Sequence, residues 1–161
     1  RNAALREFSQ KHADLEPPEP NARELLAAIR KVTPADLQYL IEDLFETITL
    51  YDNRASEASV SRSADGKYRV LLAYESRKFR SDGQGVESEI EHNDLIEVGV
   101  FGRSDVDDRG TTLYLEKHRL KSGAGTIEIV VDAEPIGAGI DPHHLLIDRS
   151  PRNNTTTVMP D

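Results

Sequence analysis

Apolar residues in the first third of the chain recur at the three- and four-residue spacing of amphipathic helices. A short stretch containing Leu5 and Phe8 stops at residues 17–20, where successive prolines cannot continue a helix. A second helix is predicted to begin at Asn21, which is spaced to form a capping box with Glu24. Residues 1 to about 50 are therefore predicted to be helical.

The strongest helical pattern follows a second start signal at residues 33–36, where a capping hydroxyl precedes a proline and an acidic residue. Beyond it, apolar residues share one helical face: Leu37, Leu40, Ile41, Leu44, Phe45 and Ile48. A stripe of this width has to be buried against another surface. We therefore predict a long helix with a buried face, and we expect Leu44→Asp to destabilise it strongly.

Beyond Asn53 the period of the apolar residues changes to two, which is typical of β-strands. The run at residues 68–75 is apolar on both faces near its middle and is predicted to be a central strand. Turn signals occur at residues 64–67, 82–85 and 122–125. Further strands are predicted at residues 86–92, 94–101, 113–115 and 127–131.

The order of these elements indicates an α+β fold. Several short strands without intervening helices predict an antiparallel β-sandwich of the immunoglobulin or fibronectin kind, rather than a parallel sheet. We expect a helical segment over residues 1–53 and a β-sandwich domain over residues 54–161. The polar tail from Arg149 onward is rich in Asn and Thr, and we expect it to wrap around the domain or fray.

Charge and composition narrow the classes of function. The 161 residues include 20 Lys and Arg against 29 Asp and Glu, a formal net charge of −9. This balance argues against binding to nucleic acid or to anionic membrane surfaces, which both rest on basic side chains. The absence of Cys excludes disulfides and Cys-ligated zinc, and no apolar run is long enough for a membrane helix. Because the chain begins at Arg1 without a leader, we interpret it as a fragment of a longer protein.

Histidines are the first candidates for metal ligands. The chain has five of them: His12, His92, His118, His143 and His144. None belongs to a His-Glu-x-x-His pattern, which would place two imidazoles on one helical face. We therefore expect these side chains to be solvated or locally hydrogen-bonded, and no metal ligand is assigned.

An acidic segment at residues 105–110 has some features of a calcium loop, with Glu116 at the twelfth position from Asp105. Arg109 occupies the fifth position, where an oxygen ligand is required, and the flanking sequences are strand-like. A solvated acidic turn between strands is the better interpretation.

Other catalytic patterns are missing from the sequence. It contains no Gly-x-Ser-x-Gly elbow, no glycine-rich phosphate loop and no dinucleotide fingerprint. Glu87, Glu89 and Glu91 are spaced to line one solvated strand face, which does not tune a carboxylate for acid–base catalysis. We therefore assign no catalytic or cofactor-binding residue and expect the chain itself not to be an enzyme.

Two segments carry a resemblance to a known family. Residues 39–54 read Tyr-Leu-Ile-Glu-Asp-Leu-Phe-Glu-Thr-Ile-Thr-Leu-Tyr-Asp-Asn-Arg, and residues 139–142 and 146–149 read Gly-Ile-Asp-Pro and Leu-Ile-Asp-Arg. Both resemble the extreme carboxyl-terminal region of bacterial membrane-anchored zinc aminopeptidases, gluzincins fused to transporter-permease-like membrane helices. The predicted strands at residues 94–101 and 113–118 are also similar to that region.

The resemblance implies a parent protein that is a zinc-dependent aminopeptidase and a non-catalytic terminal domain outside the membrane. The family's zinc ligands have no counterpart in this chain, so none is carried over. The implied partner is the upstream peptidase domain of the same chain, with self-association through the helical segment expected when that domain is missing. Residues 140–142 are expected to reverse the chain, residues 145–147 to form a hydrophobic latch, and Asp148 to pair locally with Arg149.

Three functions stay open on the sequence alone. The first is an accessory module that supports or positions the catalytic domain of such a peptidase. The second is a stand-alone β-sandwich that binds a peptide, a glycan or a protein partner. The third, an independent enzyme, ranks last because no catalytic constellation is visible. A sandwich architecture does not choose among them, because one fold hosts many functions.

Overall fold

A computed structural model describes residues 3–12, 21–104 and 110–161. The chain divides into two compact units, residues 1–48 and residues 49–161. The division falls five residues before the boundary expected at residue 53. The proline segment at residues 17–20 and most of the acidic segment, residues 105–109, lie outside the described residues.

The first unit consists of short helices, as the apolar spacing predicts. Its helices are α1 (Ala3–His12), α2 (Ala22–Val32) and α3 (Gln38–Ile41), with a 3₁₀ turn at Ala35–Leu37 and a π-helical turn at Glu42–Glu46. The predicted capping box is present: the Asn21 side chain accepts from the Glu24 amide at 3.2 Å, and the Asn21 amide donates to the Glu24 carboxylate at 3.0 Å. α2 therefore begins where the sequence predicts.

The prediction of one long buried helix over residues 37–48 is wrong. The Thr47 amide donates to the Glu42 carbonyl at 2.9 Å, a π-type bond that widens the turn and moves later residues off the helical face. Leu44 and Phe45 are consequently 61% and 62% exposed, while Ile41 is 3% exposed. Since surface substitutions have small effects, Leu44→Asp is now expected to change stability by no more than about 0.5 kcal/mol.

The second unit is a sheet, and its first strand begins at the last residue of the helical unit. The strands are β1 (Ile48–Arg62), β2 (Tyr68–Ser81), β3 (Glu87–Ile90), β4 (Asn93–Gly102), β5 (Thr111–Lys121), β6 (Gly123–Val131), β7 (Pro135–Ile140) and β8 (Thr155–Pro160). Turns at residues 63–67 and 82–86 separate β1, β2 and β3, as predicted. The third predicted turn, at residues 122–125, is shorter than expected: β5 ends at Lys121, and β6 begins at Gly123, which has a φ of 90°.

The strands form one curled, mixed sheet in the order β3-β2-β1-β8-β7-β4-β5, with β6 also paired to β2. Antiparallel pairing is found between β2 and β3, β2 and β6, β4 and β5, β4 and β7, and β7 and β8. β1 and β8, however, run parallel, with Ala58 opposite Val158. The fold is therefore mostly β with few helices, and its sheet is not purely antiparallel.

The carboxyl-terminal tail is a structural element of this sheet. The expectation that it frays is wrong, because β8 lies between β1 and β7 and hydrogen-bonds to both. Its Val158 is only 7% exposed and belongs to the hydrophobic core. The Asn- and Thr-rich composition hides this strand because it is only six residues long and has no alternating apolar pattern: three threonines precede Val158, its one buried residue.

The core of the second unit lies on the inner face of the curled sheet. It contains fully buried residues from neighbouring strands: Val70, Leu72, Ile96, Val98, Val100, Ala138 and Ile140. Leu71, in contrast, is 47% exposed, so β2 buries one face near its middle rather than the two that were predicted. This one-sided burial is typical of a sheet with one solvated face.

Candidate functional site

The four histidines whose side chains are described do not converge on a common metal site. His118 contacts the Tyr114 hydroxyl at 2.7 Å, and His143 contacts the Glu97 carboxylate at 2.6 Å. His12 lies in α1, but its side chain is outside what the structure describes. Across residues 3–12, 21–104 and 110–161, no group of three or more potential metal-ligating side chains comes together.

The most unusual polar feature is a buried network at the junction of β1, β2 and β4. Ser76 Oγ lies 3.1 Å from His92 Nε2, and His92 Nδ1 lies 3.7 Å from Asp94 Oδ2. Ser76 is completely buried, and His92 and Asp94 are 9% and 6% exposed. The order of the groups is that of a serine nucleophile, a histidine base and a carboxylate.

Hydrogen bonding in this network does not support nucleophilic catalysis. The Ser76 hydroxyl donates a hydrogen bond to Asn53 Oδ1 at 2.6 Å. Ser76 Oγ therefore accepts a hydrogen bond from His92 Nε2, which carries the proton of the neutral imidazole ring. A nitrogen that already carries a proton cannot take one from the serine. His92 Nδ1 has no hydrogen-bond partner, and its 3.7 Å separation from Asp94 is too long for one.

Asp94 is instead engaged by other partners. Lys78 Nζ lies 2.8 Å from Asp94 Oδ2, and the Tyr51 hydroxyl donates to the same oxygen at 2.7 Å. The Lys78 and Asp94 side chains are only 4% and 8% exposed. A buried ion pair of this kind requires both members, because removing one leaves an uncompensated charge in the interior.

Burial also decides the charge state of His92. The pKa of His92 is lowered, chiefly because burial disfavours the charged imidazolium, and nearby Lys78 acts in the same direction. The charge of Asp94 opposes this shift without cancelling it. The Tyr51 ring meets the imidazole edge to face at 5.9 Å between centroids. The network is thus a neutral-histidine cluster that ties three strands together.

Sequence reasoning missed this network, although the register of the strands contains a signal for it. Ser76 and Lys78 continue the inward-facing register of Val70 and Leu72 along β2. His92 and Asp94 likewise precede Ile96, Val98 and Val100 at two-residue spacing. Polar residues at the same two-residue spacing as the buried apolar residues of a strand therefore indicate a buried hydrogen-bonded cluster.

The acidic face of β3 is more organised than predicted. Glu87 and Glu89 are exposed, but Glu89 forms a bidentate pair with Arg77 at 2.9 and 2.5 Å, and Glu87 pairs with Arg149. The Arg149 guanidinium also lies 3.9 Å from the centroid of the Phe79 ring. The predicted local pair between Arg149 and its neighbour in sequence is therefore replaced by contacts with β2 and β3.

The predicted chain reversal after β7 is present and is tightly held. The Asp141 carboxylate accepts from the Leu145 and Leu146 amides at 2.9 and 3.2 Å. Burial raises the pKa of Asp141, and these two backbone donors oppose that rise. Only Leu146 of the expected hydrophobic latch packs against the core, since Leu145 and Ile147 are 58% and 67% exposed.

The helical unit, described by itself, has two strongly exposed apolar side chains, Leu44 and Phe45, near half-buried apolar residues of α2. No residue of α2 is buried. A shallow apolar cavity of about 220 Å³ lies between α2 and Phe45, lined by Leu25, Leu26 and Ile29. The described helices include none long and apolar enough to cross a membrane.

Comparison with known proteins adds no identification. Neither family models nor curated proteins nor solved structures gave a significant match to this chain.

Proposed function

We propose that this chain is a non-catalytic accessory domain of a membrane-anchored zinc aminopeptidase, and that its helical unit docks on the peptidase domain upstream. The curled sheet would then be a variant of the sandwich that ends such proteins. Zinc belongs to the parent peptidase in this proposal, and the domain lies on the extracytoplasmic side. Its role is to support or position the catalytic domain.

The observation that carries the proposal is the exposed apolar face of the helical unit. We name the docking face by its residues Leu25, Leu26, Ile29, Leu44 and Phe45. Leu44 and Phe45 are more than 60% exposed, and the three residues from α2 are half-buried. Phe45 and the three α2 residues line one apolar cavity, and exposed apolar surface of this kind is typical of an interaction site.

The docking face is also held in shape by polar contacts around it. Arg30 Nη2 pairs with Glu46 Oε1 at 2.6 Å, which fixes the π-helical turn beside α2. The Gln38 side chain donates to the Arg30 and Thr33 carbonyls at 2.9 and 2.7 Å and thereby closes the end of the helix. A preorganised surface loses less conformational entropy on binding than a flexible one.

The buried network favours an accessory role over an independent enzyme. Its only serine–histidine contact has the serine proton directed toward Asn53, and Ser76 has no access to a substrate because it is completely buried. Its Asp94 is neutralised by Lys78 at 2.8 Å. These groups stabilise the sheet and leave no activated nucleophile.

Sedimentation of the isolated chain tests the docking face. Without the peptidase domain, the exposed apolar side chains are expected to pair between copies, so the chain should form dimers or larger species. Phe45→Glu should shift it to a monomer, because a charge in the middle of the face is costly to desolvate. Val86→Glu is the matched control, since Val86 is 63% exposed and lies in the sheet unit.

Two outcomes would contradict the proposal. One is a chain that stays strictly monomeric at all accessible concentrations. The other is self-association that Val86→Glu weakens as much as Phe45→Glu does, because association would then not depend on the docking face.

A further inference from the structure

A groove on the outer face of β4, β7 and β8 has no role in the docking proposal. Its volume is about 650 Å³, within the range of about 300–1,000 Å³ that small-molecule sites occupy. The groove is lined by apolar groups from Phe101, Ile136, Pro142 and Pro151, and by the threonines of β8.

The floor of the groove is built on glycine. A Cβ atom at Gly99 would lie 2.7 Å from the Phe101 ring and 3.1 Å from Pro142, so glycine at this position leaves room for the tip of the ring. Gly137, the neighbour of Phe101 on β7, is open instead: a Cβ atom there would meet only the Thr156 carbonyl, at 3.7 Å. Phe101 is 7% exposed, so only a small part of its ring borders the groove, next to the open position at Gly137.

A β-bulge shapes one wall of the groove. Phe101 pairs with Gly137 and Gly102 pairs with Pro135, which leaves Ile136 without a partner on β4. Ile136 is 43% exposed, whereas Ala138 two residues later is completely buried. Bulges commonly re-aim a side chain next to a functional site.

The opposite rim is a strained turn. Asp141 and His144 have φ angles of 45° and 53°, the only positive values among non-glycine residues in the part of the chain that is described. The Asp141 amide donates to the Glu97 carbonyl at 2.6 Å, and the His144 amide donates to the Asp141 carbonyl at 3.0 Å. Such strain persists only where the surroundings hold it, and it concentrates at functional sites. The turn fixes His144 on the rim.

The charge of the groove is opposite to that of the whole chain. The ionisable side chains that line it are His144 and Arg152, and no Asp or Glu does so, although the net charge is −9. Within the described residues, no carboxylate forms a salt bridge with Arg152. A guanidinium presents planar donors that match a carboxylate bidentately.

We propose that this groove binds an apolar carboxylate, with Arg152 holding the carboxylate and the body of the ligand packing on Ile136 and Pro151, which are more exposed than the buried Phe101 and Pro142 beneath them. A free apolar acid and the carboxyl terminus of a peptide share this chemistry. Fully polar polyanions do not fit, because most of the lining is apolar. The site goes beyond the docking proposal and does not depend on it, since it lies entirely in the sheet unit.

Titration calorimetry on the intact chain tests the site with N-acetyl-phenylalanine and its uncharged analogue N-acetyl-phenylalaninamide. The acid is expected to bind about tenfold more tightly or better, because a hydrogen bond to a charged group is lost in the amide. Arg152→Met should weaken binding of the acid by about tenfold or more. Arg69→Met is the control, because Arg69 is half-exposed on β2 and is absent from the groove.

Gly137→Leu provides an independent variant that fills the groove. Since the added Cβ meets only one atom at ordinary contact distance, the fold is expected to tolerate the change while binding of the acid is lost. A circular dichroism melt of each variant separates lost binding from lost structure.

Titration with the peptide acetyl-Ala-Ala-Phe distinguishes a free apolar acid from the carboxyl terminus of a peptide as the natural ligand. Binding about tenfold tighter than that of N-acetyl-phenylalanine would identify a peptide terminus, because two more residues would then contact the groove. Equal binding would identify a free acid. The proposal is overturned if neither acid binds, if the amide binds as well as the acid, or if Arg152→Met and Gly137→Leu leave binding unchanged in a folded protein.

Discussion

At the scale of single residues, the interior of the sheet unit depends on a few buried polar groups as well as on apolar packing. The Lys78 ammonium and the Tyr51 hydroxyl both lie within hydrogen-bonding distance of the same Asp94 carboxylate oxygen. His92 and Ser76 continue the cluster toward Asn53. These groups can be tested one at a time, because each has a partner at a known distance.

Replacing Lys78 with Met should destabilise the chain by about 3–5 kcal/mol, because Asp94 would then be a buried charge without its cation. Urea unfolding measures the effect. Arg69→Met serves as the control: Arg69 lies 3.5 Å from Glu128 in a pair whose side chains are about half exposed, and its loss should cost at most about 1 kcal/mol. Equal effects of the two substitutions would show that the buried pair is not required.

His92 should make the chain sensitive to acid. Its pKa is lowered in the folded state by burial, so below a pH of about 6.5 the unfolded chain takes up a proton that the folded chain rejects. Stability contributed by neutral His92 is therefore present above the unfolded pKa and is lost as the pH falls from there toward the folded pKa.

His92→Gln should flatten this dependence in urea unfolding curves recorded between pH 5 and pH 8. The difference between the two proteins is the informative quantity, because Asp141 acts in the opposite sense. The raised pKa of Asp141 adds stability as the pH falls through it. Parallel stability curves for the two proteins would contradict a buried neutral His92.

At the scale of elements, sequence reasoning succeeded where one local rule acted alone. The capping box at Asn21 and the turns before β2 and β3 were predicted because side-chain caps and glycine conformation are local properties. The prediction of a buried helical face was wrong for Leu44 and Phe45. Their spacing fits a helix, but a π-type turn and the β-branched residues at 47–49 end the helix there.

Long-range pairing explains the other misses. β7 has glycine at Gly137 and Gly139, which lowers its strand propensity, yet β4 and β8 flank it and supply its hydrogen bonds. β8 pairs in parallel with β1 across 100 residues of sequence, as in the match of Ala58 with Val158. Neither the groove nor the buried network was predicted, because both assemble residues from strands whose neighbours the sequence did not reveal.

The carboxyl-terminal strand should be essential for stability. Val158→Asp should destabilise the chain by several kcal/mol, on the order of 3–5 kcal/mol, because it places an unpaired charge in the core. Met159→Asp is the matched control, since Met159 is the next residue, is 60% exposed, and should change stability by no more than about 0.5 kcal/mol. Thermal melts compare them directly. Equal melting temperatures would mean that the tail does not belong to the core.

At the scale of the whole molecule, the two units have different physical characters. The sheet unit has a continuous core and a buried polar network, whereas the helical unit exposes the docking face. An accessory domain with a stable sheet and an interaction surface accounts for both. The interior serine and histidine are hydrogen-bonded in the wrong sense for a nucleophile and its base.

The central claim is that this domain works as part of a zinc aminopeptidase, and isolation of the native protein tests it most directly. An antibody raised against the purified 161-residue chain would capture that protein from its source, for measurement of its size, zinc content and release of amino-terminal residues from peptides. We expect a polypeptide several times longer than this chain, with bound zinc and an aminopeptidase activity that a chelator abolishes. Capture of a protein no longer than the chain, or of a longer one with neither zinc nor aminopeptidase activity, would contradict the account.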